Sequence, residues 1–279
     1  MALTGDLAIP AFPVADLRAR IVRLQRSKTR QSDPGKMLST GVSAIDASLG
    51  GGLGHGALHE VAGAGPEAEH GTAATLLVAG LLGRTDGPVL WVMERRDLFP
   101  PALAAAGLHP DRVVYAEAGR PAGVLQAMED ALRYRDATGG KLAGVIGEVR
   151  GRLGLTASRR LQLAAEAAGV IAFVLLRTRR SRQVGAPATG TFEPNAAVTR
   201  WRVACLPCAP PLQQRPDWPG LGLSRWQLDL VRRRGGEPAS WIVEVGDAPH
   251  RLRLASDLAN RSHSPQLPGQ QLLGRRAVA

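Results

Sequence analysis

The sequence is poor in cysteine, in lysine and in long apolar runs, and these shortages exclude several classes of protein. Only two cysteines, Cys205 and Cys208, occur among 279 residues, which is too few for a disulfide framework. No run of about 18 apolar residues occurs, so we predict no membrane-spanning helix. The first residues, MALTGDLAIPAF, lack a basic segment followed by an apolar one and do not predict a secretory signal. These absences indicate a cytoplasmic protein.

Almost all of the basic residues are arginines. Lysine and arginine together number 35 against 24 acidic residues, and the formal net charge is +11. A positive excess of this size favours contact with nucleic acid or with an acidic partner. Solubility is the alternative use of such charge.

Changes along the chain divide it into three parts. Hydrophobic residues make up 44% of the sequence, which suits one main domain with extra segments. Residues 1–36 predict a polar linker preceded by a basic amphipathic helix, whose apolar positions are Val14, Leu17, Ile21 and Leu24. Residues 37–250 form the predicted core domain. Residues 251–279 are polar, contain proline and glycine, and predict a flexible tail.

The predicted core domain changes character near residue 177. Up to that point, short apolar segments alternate with helices of about 10–15 residues, which is typical of an α/β domain with a parallel sheet. The later segments 197–206, 224–234 and 240–246 alternate apolar and polar residues, as antiparallel strands do. We therefore predict an α/β fold with a mostly parallel central sheet, antiparallel C-terminal strands and helices on both faces.

The stretch AGAGPEAEHGTAAT, residues 62–75, lies between a predicted strand and a predicted helix. Its glycines and its position are typical of a phosphate-binding loop, whose pattern is G-x-x-x-x-G-K-[ST]. Gly65 and Thr72 match that pattern. His70 stands at the second glycine, and Gly71 stands where the lysine belongs.

These departures change the charge of the loop. The missing lysine removes a cation that phosphoryl transfer uses, and Glu67 and Glu69 would add negative charge near a triphosphate. We expect no resident cofactor. Three interpretations stay open: a structural remnant, a weak site for ATP and Mg²⁺, or an unusual hydrolytic site.

Longer stretches around the loop resemble the RecA core. They are STGVSAIDASLGGGL before the loop, WVMERRDLFPPALAAAGLHPDRVVY after it, and WQLDLVRRRGGEPASWIVEV near the end. The similarity covers about residues 37–245 and implies a RecA-like core. It places Glu94 at the water-activating glutamate, Gly147 or Glu148 at a Mg²⁺-binding aspartate, and Arg177 at a γ-phosphate-sensing glutamine. The nucleotide site implied by the resemblance comprises Gly65, Glu67, Gly71, Thr72, Glu94 and Glu148.

A short RecA-like chain with a spoiled phosphate loop is similar to the ImuA family. The resemblance implies a role in DNA-damage-induced mutagenesis through error-prone translesion synthesis. It implies an ImuB-type partner, which is a catalytically inactive relative of the Y-family polymerases, together with an error-prone C-family polymerase and a further contact with RecA. Because most catalytic positions are altered, we expect a non-catalytic accessory protein. A RecA-like core also permits homo-oligomers.

Two arginine clusters predict contacts with single-stranded DNA. Arg150 and Arg152 stand at the first DNA-binding loop of the resembled superfamily. The second such loop, 177–195, begins with Arg177, Arg179, Arg180 and Arg182. Clustered positive charge suffices for phosphate contacts, whereas single-strand binding also uses aromatic side chains, of which this loop has only Phe192. An acidic protein partner and a solvated loop are the alternatives.

Other interpretations use the same residues. A DNA-dependent ATPase would bind Mg-ATP through Thr72 and Glu148, whereas a SulA-like inhibitor would bind a tubulin-like division protein. An antagonist of RecA would slow strand exchange without any ImuB-type partner. Glu94 is also explained as a strand-end carboxylate paired with Arg95 or Arg96.

Overall fold

A large mixed sheet carries the fold. The computed structural model describes residues 37–135, 139–177, 194–208, 222–246 and 252–255. Within these residues the strands are β1 (Met37–Leu38), β2 (Leu53–Gly54), β3 (Leu58–Gly63), β4 (Val89–Met93), β5 (Val113–Glu117), β6 (Gly144–Arg150), β7 (Ile171–Arg177), β8 (Thr199–Leu206), β9 (Arg225–Arg233), β10 (Ala239–Val245) and β11 (Leu252–Leu254). The α-helices of the same residues are α1 (Ser43–Leu49), α2 (Thr72–Gly83), α3 (Pro100–Ala105), α4 (Pro121–Arg133) and α5 (Leu155–Ala168).

The sheet joins a parallel and an antiparallel part. Nine of the described strands follow the order β11-β10-β9-β8-β3-β7-β6-β4-β5. Neighbours from β8 to β5 are parallel, and neighbours from β8 to β11 are antiparallel. Strands β1 and β2 form a separate antiparallel pair. The predicted α/β fold, with a mostly parallel sheet and antiparallel C-terminal strands, is confirmed.

Strand β8 corrects one detail of that prediction. Its alternating residues predicted an antiparallel strand, but it pairs in parallel with β3, where His59 lies opposite Thr199. Its other neighbour, β9, is antiparallel. Alternation shows which side chains face the core, and it carries no information on the direction of the neighbouring strand.

Helices cover both faces of the sheet, as the sequence predicts. In β7, Phe173 and Leu175 pack with α2 and α3 on one face, while Ala172 and Val174 pack with α4 and α5 on the other. All four of these side chains are buried. A strand covered on both sides is apolar at every position, which explains the continuous apolar run of β7.

Two element boundaries differ from the predicted ones. Helix α3 is shorter than the expected length of about 10–15 residues, because Pro100 suits its first turn and Gly107 ends it with φ 101°. The sheet also extends past the predicted core boundary at residue 250, since β11 pairs with β10. No α-helix of the described residues is long and apolar enough to cross a membrane. The predicted N-terminal helix 14–26 lies outside the described residues, as do residues 256–279 of the predicted tail.

Candidate functional site

The predicted phosphate loop lies at the carboxyl end of β3, where the neighbouring parallel strands also end. After Pro66 the chain forms one π-helical turn, Glu67–Gly71, that continues directly into α2. The N–H groups of Glu69 and His70 both donate to the Pro66 carbonyl, at 3.0 Å each. A working phosphate loop directs backbone N–H groups at phosphate oxygens, but in this loop at least these two bond within the turn.

The His70 side chain fills the inside of the turn. A Cβ added at Gly63 would lie 3.1 Å from the His70 Cβ, and one at Gly65 would lie 2.9 Å from the His70 ring. His70 Nδ1 accepts a hydrogen bond from the Cys205 backbone N–H at 3.1 Å. Its proton therefore sits on Nε2, which lies 3.6 Å from a Glu69 carboxylate oxygen. His70 thus ties the loop to β8.

Arg177, the last residue of β7, supplies the cation of this site. Its Nε and one terminal nitrogen donate to Glu148 Oε2 at 3.0 and 2.8 Å. Its other terminal nitrogen donates to Glu67 Oε1 at 2.6 Å and to the Gly71 carbonyl at 3.4 Å. Burial alone would lower the pKa of Arg177, but Glu148 and Glu67 outweigh that effect and raise it. Such charge-assisted pairs are among the stronger hydrogen bonds in proteins. We call these three side chains the Arg177 cluster.

Glu148 has both of its oxygens engaged. Oε1 accepts from the Trp91 indole N–H at 2.8 Å, and Oε2 accepts from Arg177. The Glu148 side chain is only 5% exposed. A Mg²⁺ ion would require carboxylate oxygens that are open to it, so Glu148 as placed does not fit the role that the RecA resemblance implied.

Gly71, at the lysine position, is held by this same cluster. An added Cβ at Gly71 would collide with the Glu67 carboxylate. A lysine there would therefore have to displace Glu67, and the space that its side chain would need is already used. The buried Thr75 hydroxyl donates to the Gly71 carbonyl at 3.1 Å, while Thr72 is exposed at the start of α2.

Glu94, just after β4, is paired differently from the expectation. Its Oε1 accepts the Arg150 backbone N–H at 2.7 Å, and its Oε2 lies 4.0 Å from the Arg150 guanidinium. That guanidinium also contacts Asp97 at 3.0 Å. The partner of Glu94 is thus Arg150, which comes from the end of β6, and neither Arg95 nor Arg96 takes that place.

The residues predicted to bind DNA occupy different places. Arg177 points into the loop and is 17% exposed, whereas Arg150 is partly exposed and paired with acidic residues. Arg152 is exposed in the turn after β6. The ends of β6 and β7 are adjacent, since the Gly151 N–H donates to the Arg177 carbonyl. Arg179, Arg180 and Arg182 lie outside the described residues.

Two residues contribute to the site although no sequence pattern indicates their role. Trp91 reaches Glu148 from β4, and Cys205 reaches His70 from β8. Cys205 acts through its backbone N–H, so no side-chain pattern could have revealed it. Burial, helped by Glu69 and Cys208, raises the pKa of the Cys205 thiol.

The residues of the loop do not fit a nucleoside triphosphate with Mg²⁺. The Glu67 carboxylate fills the space where a lysine side chain at position 71 would begin. The carboxylate at the metal position, Glu148, is engaged. The His70 imidazole fills the turn. Fold and site together define a RecA-like α/β core whose phosphate loop is filled by the chain's own side chains.

Comparison with known proteins identifies the family. No family model matches the sequence. Proteins named Protein ImuA from two strains of Caulobacter vibrioides are each 42% identical to it over 238 residues, which cover 81% of this chain and 92% of theirs. The chain therefore belongs to the ImuA family. This membership associates it with DNA-damage-induced mutagenesis.

Proposed function

We propose that this protein is a non-catalytic, RecA-like accessory factor of error-prone translesion DNA synthesis. The observation that carries the proposal is the Arg177 cluster, in which the Glu67 carboxylate fills the space next to Gly71, at the lysine position, and is paired with Arg177. Phosphoryl transfer depends on positioning and on stabilising the charge of the transferring group. In this loop, two carboxylates already neutralise the arginine. The loop therefore provides little positioning of a phosphate group and little stabilisation of its charge.

One feature favours the competing proposal of a DNA-dependent ATPase. Glu94 and Thr72 match the catalytic pattern of the resembled superfamily, and Thr72 is exposed at the start of α2. Glu94, however, is held by the backbone N–H and the side chain of Arg150. A single base without a cation to clamp the phosphates gives no efficient hydrolysis.

Family membership and net charge support the proposed partners. The protein binds an ImuB-type inactive Y-family polymerase homologue and, through it, an error-prone C-family polymerase. RecA and single-stranded DNA are further partners. The net charge of +11 supports attraction to DNA or to acidic protein surfaces.

Nucleotide binding and phosphate release by the purified full chain test the non-catalytic proposal. Mg-ATP is added with and without single-stranded DNA, and wild type is compared with Thr72→Ala. We expect neither binding nor turnover, so the two proteins should behave alike. DNA-stimulated phosphate release that disappears in Thr72→Ala would establish the ATPase instead.

Copurification tests the proposed partner. The full chain is mixed with the ImuB-type homologue encoded by the same organism, at low and at high salt. We expect a complex at both salt concentrations. A division protein captured in place of that homologue would favour the SulA-like interpretation, and slowed RecA strand exchange without any partner would favour the antagonist.

A further inference from the structure

An apolar groove lies on the face of the sheet that α2 and α3 cover. It encloses about 210 Å³, which is smaller than the roughly 300–1,000 Å³ of pockets for drug-sized ligands. Helices α2 and α3 form one side of it, and the antiparallel strands form the other. Its lining includes Leu76, Gly80, Ala102, Ala105, Trp226 and Leu252. A groove of this size suits a few apolar side chains from a docked segment.

The first described residues of the chain lie beside this groove. Thr40 also lines the groove, and the described part of the chain begins at Met37, only three residues earlier. The linker 27–36 precedes Met37 and can span about 33 Å when extended. Whatever lies before the linker is therefore held within reach of the groove, at an effective concentration on the order of millimolar.

The segment before the linker has the matching chemistry. Residues 14–26 carry one apolar stripe at helical spacing, and Arg18, Arg20, Arg23 and Arg26 lie off that stripe. As a helix, the stripe from Val14 to Leu24 would be about 15 Å long, close to the roughly 18 Å of α2. Such a helix needs an apolar surface to cover its stripe.

We propose that residues 14–26 dock as a helix into the groove of their own chain. Leu17 and Ile21, at the centre of the stripe, enter between α2, α3 and the antiparallel strands. The arginines then face solvent. This proposal concerns an interaction surface and does not depend on the proposed function.

Disulfide trapping in the full chain tests the docking. Cys205 and Cys208 are first replaced by serine, and Ala105, which is exposed in the groove, becomes cysteine. Leu17→Cys is then compared with Val22→Cys, which lies about 120° away from the centre of the stripe. Oxidised glutathione serves as the oxidant, and non-reducing electrophoresis separates monomeric from dimeric products.

We expect Leu17→Cys to close a monomeric disulfide with position 105 at least about tenfold faster than Val22→Cys. Equal rates, or no disulfide in either protein, would overturn the proposal. Disulfide-linked dimers would overturn it in favour of a second copy in the groove.

Limited digestion with trypsin gives a second, independent measurement. In chains without engineered cysteines, Leu17→Asp is compared with Val22→Asp, so that the same charge enters on and off the stripe. Cleavage after Arg18 and Arg20 should be about tenfold faster in Leu17→Asp. The wild-type rate should not change with protein concentration. Equal cleavage of both variants, or protection that grows with concentration, contradicts docking within one chain.

Discussion

Replacing Arg177 with methionine would remove the guanidinium that joins the phosphate loop to the ends of β6 and β7. Glu148, whose side chain is 5% exposed, would lose its ionic partner, and so would Glu67, which is 28% exposed. Breaking a buried ion pair by removing one partner costs about 3–5 kcal/mol. Because water reaches Glu67, we expect the lower end, a loss of about 3 kcal/mol from the free energy of unfolding.

Urea-induced unfolding, followed by circular dichroism, measures this loss as a shift of the midpoint at constant slope. Arg150→Met is the matched control, because the side chains of Arg150 and Asp97 are 36% and 54% exposed and Glu94 keeps its hydrogen bond to the Arg150 backbone N–H. An exposed pair of this kind contributes at most about 1 kcal/mol.

A triple variant separates lost charge from lost packing. Combining Arg177→Met with Glu67→Gln and Glu148→Gln leaves no buried charge unpaired, so stability should recover in part. If Arg177→Met costs no more than the Arg150→Met control, the Arg177 cluster does not stabilise the loop and the reasoning is refuted.

Three further predictions concern other parts of the described core. Burial lowers the pKa of His59 from 6.5 to about 4. The unfolded chain therefore takes up a proton before the folded one does, and stability should fall by about 3 kcal/mol as the pH drops from 6.5 to 4. Unfolding of His59→Gln over the same pH range should lack this part of the loss, and an unchanged profile would contradict it. Iodoacetamide near pH 8 should alkylate the exposed Cys208 faster than Cys205, because the pKa of the Cys205 thiol is raised. Mass spectrometry measures the two rates, and equal rates would contradict this prediction. Gly147→Ala should lower the free energy of unfolding by about 1–3 kcal/mol, because its Cβ would collide with Met128 on α4. An unchanged free energy would mean that α4 moves aside.

The framework of the fold can be predicted from the sequence because the patterns that indicate it are local. The strand–loop–helix around residues 58–83 has its apolar runs, its glycines and its helix within one short stretch. The same holds for β7, whose run of apolar residues signals burial on both faces. Fold class and family could be predicted from such segments.

The content of the site could not be predicted, because it depends on contacts between distant residues. Arg177 opens an arginine-rich run, which predicts a contact with DNA, yet its partners lie 29 and 110 residues earlier in the chain. They meet because β3, β7 and β6 are neighbours in the sheet. Strand order is set by tertiary packing, and no local pattern encodes it.

The internal bond of Arg177 also bears on how the protein responds to the metabolic state of the cell. A phosphate loop that is completed by a nucleotide has a stability, and often a partner affinity, that rise and fall with nucleotide concentration. Here the completing cation is part of the polypeptide, so its local concentration is constant. Under the non-catalytic function proposed above, a complex built on this surface would not vary with nucleotide concentration, and the amounts of the proteins themselves would set how much of it exists.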